Sequence, residues 1–172
     1  WSRGAGCSST AWGPGSTPSD SNTPADGIFV PEQQQWNNGS FWWDQDPSVN
    51  QGPVYWEVQL DQAYTVDRFV VQADDNDRYL VEYWDGGAWQ SAYSVPFQFS
   101  FGLVTRDSGI GARITTDRFR LSAIEGDNYF AVSEFQAFAA VPEPATWALL
   151  ILGMGMVGGA MRRRTRMRYA FV

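Results

Sequence analysis

Histidine and lysine are absent from the 172 residues and cysteine occurs once, at Cys7, so all 12 basic residues are arginine. Each absence removes a class of chemistry. Without histidine no Ser/His/Asp or Cys/His relay can form, and a single cysteine permits neither an intrachain disulfide nor a Cys/His zinc site. Lysine Schiff-base chemistry is excluded as well. Carboxylates, hydroxyls, amides, guanidinium groups and aromatic rings remain.

What is present is apolar and aromatic. Hydrophobic residues make up 44% of the chain and aromatics 16%, with 9 Trp, enough to fill the core of one domain. Charge is unevenly spread: residues 1–140 hold 7 Arg against 18 Asp and Glu, whereas residues 141–172 hold 5 Arg against Glu143 alone. So acidic a main body argues against nucleic acid as a partner, since phosphate binding needs a basic surface.

Residues 1–23 are rich in Gly, Ser, Thr and Pro and read as a flexible lead-in. Trp1 stands where an initiator Met would, so an upstream piece such as a signal peptide is expected. "AGCSS" has Gly4, not an aliphatic residue, three before Cys7, and reads as a plain cysteine and not a lipoprotein site.

From Ile28 to Ala140 short β-type runs alternate with turn signals. In "VYWEVQL", Val54, Trp56, Val58 and Leu60 alternate with Tyr55, Glu57 and Gln59, the period of a half-buried strand. "YTVDRFVVQ" follows as a second strand, and "YLVEYWDGGAWQSAY" reads as a hairpin turning at Asp85-Gly86-Gly87. "FSFGLVTR", "ARITT", "RFRLSAI" and "NYFAVSEFQAFA" complete seven or eight strands. No amphipathic helix lies between them, which predicts an all-β antiparallel sandwich.

Asp26-Gly27, the tryptophan-rich stretch, "YWEVQLDQAYTVDRFVV", "YLVEYWDGGAWQ" and "AVSEFQAFA" occur in the order of discoidin-like, or coagulation-factor type C, domains. Residues 24–140 resemble that family, whose fold is the galactose-binding-like jelly roll. Two departures stand out: Leu60-Asp61-Gln62 replaces the usual "DLG", and the cysteine pair of animal members is missing. The resemblance implies core positions for Trp56 and Trp89. It also implies a structural calcium ion near the "DG" turn, matched here by Asp26 and by Glu134 on the last strand. A hard cation needs oxygen ligands, and cross-linking two distant segments adds rigidity; the alternative is a turn-forming Asp and a solvated Glu.

Two further clusters are candidates for ligand contact. Asp74, Asp75, Asn76 and Asp77 fall between two predicted strands beside Arg78. They form either a solvated turn or a rim that hydrogen-bonds sugar hydroxyls, with Arg78 oriented by its carboxylate neighbours. The spacing is not that of an EF-hand loop. Trp36, Trp42 and Trp43 surround "NNGS" and could stack on a sugar ring or pack in the core; both readings stand at this point. An acid/base carboxylate pair of the glycosidase kind is compositionally allowed, but nothing marks one, so a non-enzymatic binding module is expected.

The tail has three parts. "VPEP" at Val141, Pro142, Glu143 and Pro144 precedes 17 uncharged positions, 145–161, and a basic stretch, 162–172. As a helix the middle part would span ~25 Å, enough for a short transmembrane helix. Trp147 at one end, four glycines within and arginines after it suit a membrane helix with the acidic domain outside. This tail resembles the PEP-CTERM sorting signal of Gram-negative bacteria. The resemblance implies an exosortase partner, transient anchoring in the inner membrane, and delivery to the cell surface or extracellular matrix. The function expected is binding of exopolysaccharide, with a structural surface protein making protein contacts as the alternative and a glycosidase less favoured.

Overall fold

The computed structural model describes residues 23–44, 54–140 and 145–166, with helix side chains described over 149–162. The chain forms two compact units, Trp1–Ala140 and Val141–Val172. Most of the lead-in with Cys7, and the "VPEP" segment, lie outside the described residues.

The first unit is the expected antiparallel sandwich. A single 3-10 turn, Thr23–Ala25, precedes seven strands: β1 (Phe41–Asp44), β2 (Trp56–Asp74), β3 (Arg78–Trp84), β4 (Trp89–Val95), β5 (Leu103–Asp107), β6 (Ile114–Glu125) and β7 (Tyr129–Ala139). The strand order is β1-β7-β2-β6-β3-β4, with β5 on β2.

The long strand β2 joins the two layers. Its first half pairs with β6 and its second half pairs with β7 and β5. Between Gln59↔Arg118 and Tyr64↔Thr116, residues 60–63 of β2 face Asp117 alone, a bulge that redirects the strand from one layer to the other. The two runs read as separate strands are therefore one, because Asp61-Gln62-Ala63 bulges without ending the extended backbone. "ARITT" and "RFRLSAI" likewise merge into β6.

Alternation along the strands fills the space between layers. Trp56, Phe69, Val71, Tyr79, Val81, Phe119, Leu121, Phe130 and Phe135 are buried in one cluster. Arg118 and Arg120 point the other way, and Arg120 is sandwiched between the rings of Tyr55 and Trp89 while paired with Glu82 at 2.6 Å. Trp89 is thus a correction to the implied core position: on edge strand β4 it covers Arg120 and meets Trp84 edge-on at 5.5 Å, half-buried on the outer face. The hairpin turn is as expected, with Gly86 at φ 102° and Asp85 Oδ1 accepting the amides of Gly87 and Ala88, each at 2.8 Å.

In the second unit a helix, α1 (Ala145–Arg166), runs five residues beyond the expected end at 161. Its apolar side chains from Leu149 to Met161 are exposed. Among the described residues no helix is long and apolar enough to cross a membrane.

Candidate functional site

Three turns of the sandwich meet at one end. Asp74 is in register with Leu103, Tyr79 with Val95 and Arg78 with Glu125, so the β2–β3, β4–β5 and β6–β7 connections share that end. The segment 33–38 joins them through a bridge between Gln34 and Leu103. Gln72 fixes the approach: fully buried, it accepts the Val30 amide at 2.9 Å and returns a bond to the Val30 carbonyl at 2.9 Å.

The aspartate cluster is neither a solvated turn nor a sugar-binding rim. Asp74, Asp75 and Asp77 are all buried. Both expectations for these three carboxylates are corrected, because each is consumed by the fold. Asp75 staples the β4–β5 loop: its carbonyl accepts Gln98 N at 2.7 Å and its Oδ2 accepts Ser100 N at 2.9 Å. Asp74 Oδ1 accepts the Asp75 amide at 3.0 Å. Burial pushes the Asp74 carboxyl up to about 7. Beside it the buried Arg106 spends its guanidinium on the carbonyls of Ala73, Asp74, Pro96 and Val104. Arg106 lies on the same face of β5 as Val104, the one sequence signal that could have flagged it as inward-pointing.

Asp77 is fully buried, and burial, reinforced by Asp74, pushes its carboxyl up to about 8. Proton counting agrees. The Tyr79 hydroxyl lies 3.0 Å from Asp77 Oδ2, 3.0 Å from the Ala131 carbonyl and 3.1 Å from the Ala131 amide. One hydroxyl proton cannot serve two acceptors, whereas a protonated Asp77 donates to Tyr79 and frees that proton for Ala131. Asp77 Oδ1 has no hydrogen-bond partner of good geometry among the described residues, the Asp127 amide only easing its charge.

What this end shows to solvent is different. Phe97 is 38% exposed, Phe99 97% and Phe101 56%, on the loop that Asp75 holds. Phe97 and Phe99 meet edge-on at 5.0 Å. Arg78 lies 5.3 Å over Phe97 and pairs with Glu125 at 3.3 Å, so Glu125, not the aspartates, orients it. Asn76 is exposed and donates to Asp127 Oδ2 at 3.0 Å. The expected strand at "FSFGLVTR" begins only at Leu103; Phe99 and Phe101 belong to the loop. "FQFSF" alternates like a strand, but Pro96 before it and the serine and glutamine between its rings were the signal of a displayed loop.

Gly102 closes this loop at φ 59°, and a Cβ there would sit 2.0 Å from the Gln34 carbonyl. Gly102→Ala is expected to cost ~2 kcal/mol or more by breaking the Gln34–Leu103 bridge. Urea unfolding of the variant measures this.

The tryptophans divide. Trp42 is 2% exposed and Trp43 1%, so neither offers a ring face to a sugar, and the stacking expectation is corrected for both. Trp43 packs on Phe41, Phe130 and Tyr79 in the main core. Trp36 is half-buried, edge-on to Trp42 at 5.5 Å and 6.4 Å from Tyr129.

Asp26 and Glu134 come together. Glu134 is 1% exposed, and its Oε2 accepts the Gly27 amide at 3.1 Å. Burial and then the nearby Asp26 carboxylate raise its pKa. Two adjacent carboxylates of this kind fit a hard cation in charge, although among the described residues no group of three or more metal-ligating side chains forms. Backbone carbonyls would have to supply the remaining oxygens.

Comparison with known proteins follows the same division. Residues 140–164 match the PEP-CTERM protein-sorting motif. The motif marks an exported, sorted protein. The sandwich has the F5/8 type C fold: an F5/8 type C domain from Bacteroides fragilis is 17% identical with a TM-score of 0.53, covering 71% of this chain and 82% of that one. A family 32 carbohydrate-binding module of Clostridium perfringens NanJ, solved with galactose, is 13% identical with a TM-score of 0.48, covering 68% and 82%. SpGH29, at 16% identity and a TM-score of 0.48, matches 72% of this chain, which spans only 24% of SpGH29. No curated protein matches the sequence.

Proposed function

We propose that this chain is an exported, non-catalytic module that binds extracellular polysaccharide through the loop end built from residues 74–78, 96–102 and 125–129. The observation that carries this is the row Phe97, Phe99 and Phe101, exposed on a backbone-stapled loop beside Arg78, Asn76 and Asp127. Aromatic faces take the apolar side of a sugar ring while amide, carboxylate and guanidinium groups take its hydroxyls. Preorganisation by Asp75 spares the cost of ordering the loop on binding. The perturbed carboxylates Asp74 and Asp77 are sealed from solvent, which disfavours a glycosidase. So exposed a Phe99 also favours a second reading, a protein partner at the same loop.

Affinity electrophoresis through gels containing matrix polysaccharide tests the first reading. Phe97→Ala/Phe99→Ala is expected to abolish retardation, at least ~10-fold weaker binding, with the fold retained and stability lowered by ~1–2 kcal/mol, the loss of the Phe97–Phe99 and Arg78–Phe97 contacts. Retardation that is absent in the wild-type protein, together with capture of a surface protein that the double variant loses, would favour the second.

The tail fits an exosortase substrate. A helix apolar on every described face from Leu149 to Met161 needs a lipid or protein environment, and the arginines that follow suit the cytoplasmic side of the inner membrane of a Gram-negative bacterium. Cleavage near Val141, Pro142, Glu143 and Pro144 would release the module to the surface or matrix. Calcium held by Asp26 and Glu134 would be structural. Excess calcium over EGTA is then expected to raise Tm, the ~2.7 kcal/mol of a hundredfold excess over Kd, and Glu134→Gln to remove the rise.

A further inference from the structure

At the other end of the sandwich lies a concavity of about 320 Å3, lined among others by Asp67, Phe69, Tyr83, Ser91, Tyr93 and Arg113. Asp67 is seven residues back along β2 from Asp74, ~23 Å at the rise of a strand, so this place is distinct from the phenylalanine loop. Its wall is preformed. The Gly111 amide donates to the Asp67 carbonyl at 2.7 Å, and Phe69 and Ser108 exchange two bonds of 2.9 Å.

The polar groups here stand out by what they do not do. Arg68, Arg78 and Arg120 each pair with a carboxylate, Arg106 with carbonyls, and Arg118 lies over Trp84. The side chains of Asp67 and Arg113 have no partner among the described residues, and they do not pair with each other across the concavity. The hydroxyls of Tyr83 and Tyr93 have no hydrogen-bond partner among the described residues either, and burial raises the Tyr93 pKa, keeping it a neutral donor. Phe69, whose ring is buried in the main core, backs the wall without presenting a ring face.

We propose that this concavity is a second saccharide site that takes one neutral hexose unit, so that the module can bridge two polysaccharide chains. This rests on the polysaccharide reading for its biological sense, but on different residues. The volume is at the lower bound of small-molecule sites, ~300 Å3, which suits one sugar ring and not a chain segment. The rings of Tyr83 and Tyr93 offer the apolar contact, Asp67 accepts from hydroxyls, and Arg113, the tyrosines and Ser91 donate. The opposed charges of Asp67 and Arg113 favour an uncharged ligand. Bridging would raise avidity for a matrix without any new contact at either site.

The test is an amide NMR titration of the full chain in detergent micelles with methyl β-D-galactoside and, separately, methyl β-D-glucoside. Shifts are expected at residues 91–93 and 108–114, with apparent affinity there weakened ~10-fold or more in Asp67→Asn/Arg113→Gln. The rest of the spectrum should be unchanged, since both groups are unpartnered. Shifts confined to 96–102 and 125–129 would overturn the second site and leave the first standing. Shifts at the pocket that the double variant leaves intact would overturn the assignment to Asp67 and Arg113. Shifts only at the pocket, lost in the variant, would support the second site and remove the first. No shifts with either sugar would overturn both.

Discussion

Thermal stability of the sandwich is expected to fall by ~10 °C or more between pH 5 and pH 8.5, and Asp77→Asn is expected to flatten most of that slope. The Asp77 carboxyl titrates at 3.8 when free and at about 8 when folded. Between those values the unfolded chain releases a proton that the folded chain keeps, so ionisation favours unfolding and stability drops as pH rises. At ~1.4 kcal/mol per pH unit, the interval from pH 5 to 8 is worth on the order of 4 kcal/mol for this group alone. Asp74, raised to about 7, acts in the same direction. Asp107, held near 2 by Arg68, acts oppositely but at acid pH, outside this window. Asparagine keeps a donor toward the Tyr79 hydroxyl and cannot ionise. The variant should therefore equal or exceed the wild type at pH 8.5. A wild-type Tm that is level from pH 5 to 8.5, or a slope that the variant retains, would contradict a protonated Asp77.

The second large effect is at Trp43. Its ring is 1% exposed, with Phe41, Phe130 and Tyr79 at centroid distances of 5.7, 5.8 and 6.2 Å. Trp43→Ala removes one of the two buried tryptophans of the main core and leaves a cavity, at a cost of ~3–5 kcal/mol. That is a third or more of the ~5–15 kcal/mol that holds a domain folded. Chemical denaturation should find the midpoint sharply lowered. Polysaccharide binding per folded molecule should be unchanged at low temperature. A variant of normal stability with lost binding would return Trp43 to the ligand surface.

The same residues say why the sequence was readable in some places and not in others. Period-two alternation needs only local information, so Val54, Trp56, Val58 and Leu60 were legible as one face of a strand, and that face packs in the main core. Asp85-Gly86-Gly87 was legible as a turn because its conformational demand is local. The fate of "DDND" was not, because a carboxylate is buried only where distant groups receive it. Asp75 is held by Gln98 and Ser100, and Asp77 by Tyr79 with the Ala131 backbone behind it. Gly126 provides the room, since a Cβ there would lie 1.9 Å from Asp77 Oδ1. None of these pairings has a sequence spacing that marks it.

The aromatic residues exchanged roles for a related reason. Tryptophans beside "NNGS" could be read as displayed or as core, and β1, paired with β7, carries Trp42 and Trp43 inward on opposite faces, one to the main core and one to a smaller cluster with Leu103 and Ala131. Both faces of β1 are covered, so its alternation carried no solvent side to read. The phenylalanines of "FQFSF" looked like a strand, yet the Asp75 staple holds them out as a loop. The tail needed no such long-range information, because its motif, apolar run and arginines are contiguous.

Glycan-array binding of the wild-type chain beside Phe97→Ala/Phe99→Ala measures the central claim most directly. The wild type should bind a discrete set of polysaccharide or oligosaccharide spots that the double variant, still folded, loses. Binding that survives in the variant, or no glycan bound by the wild type with or without calcium, would contradict a saccharide-binding loop end.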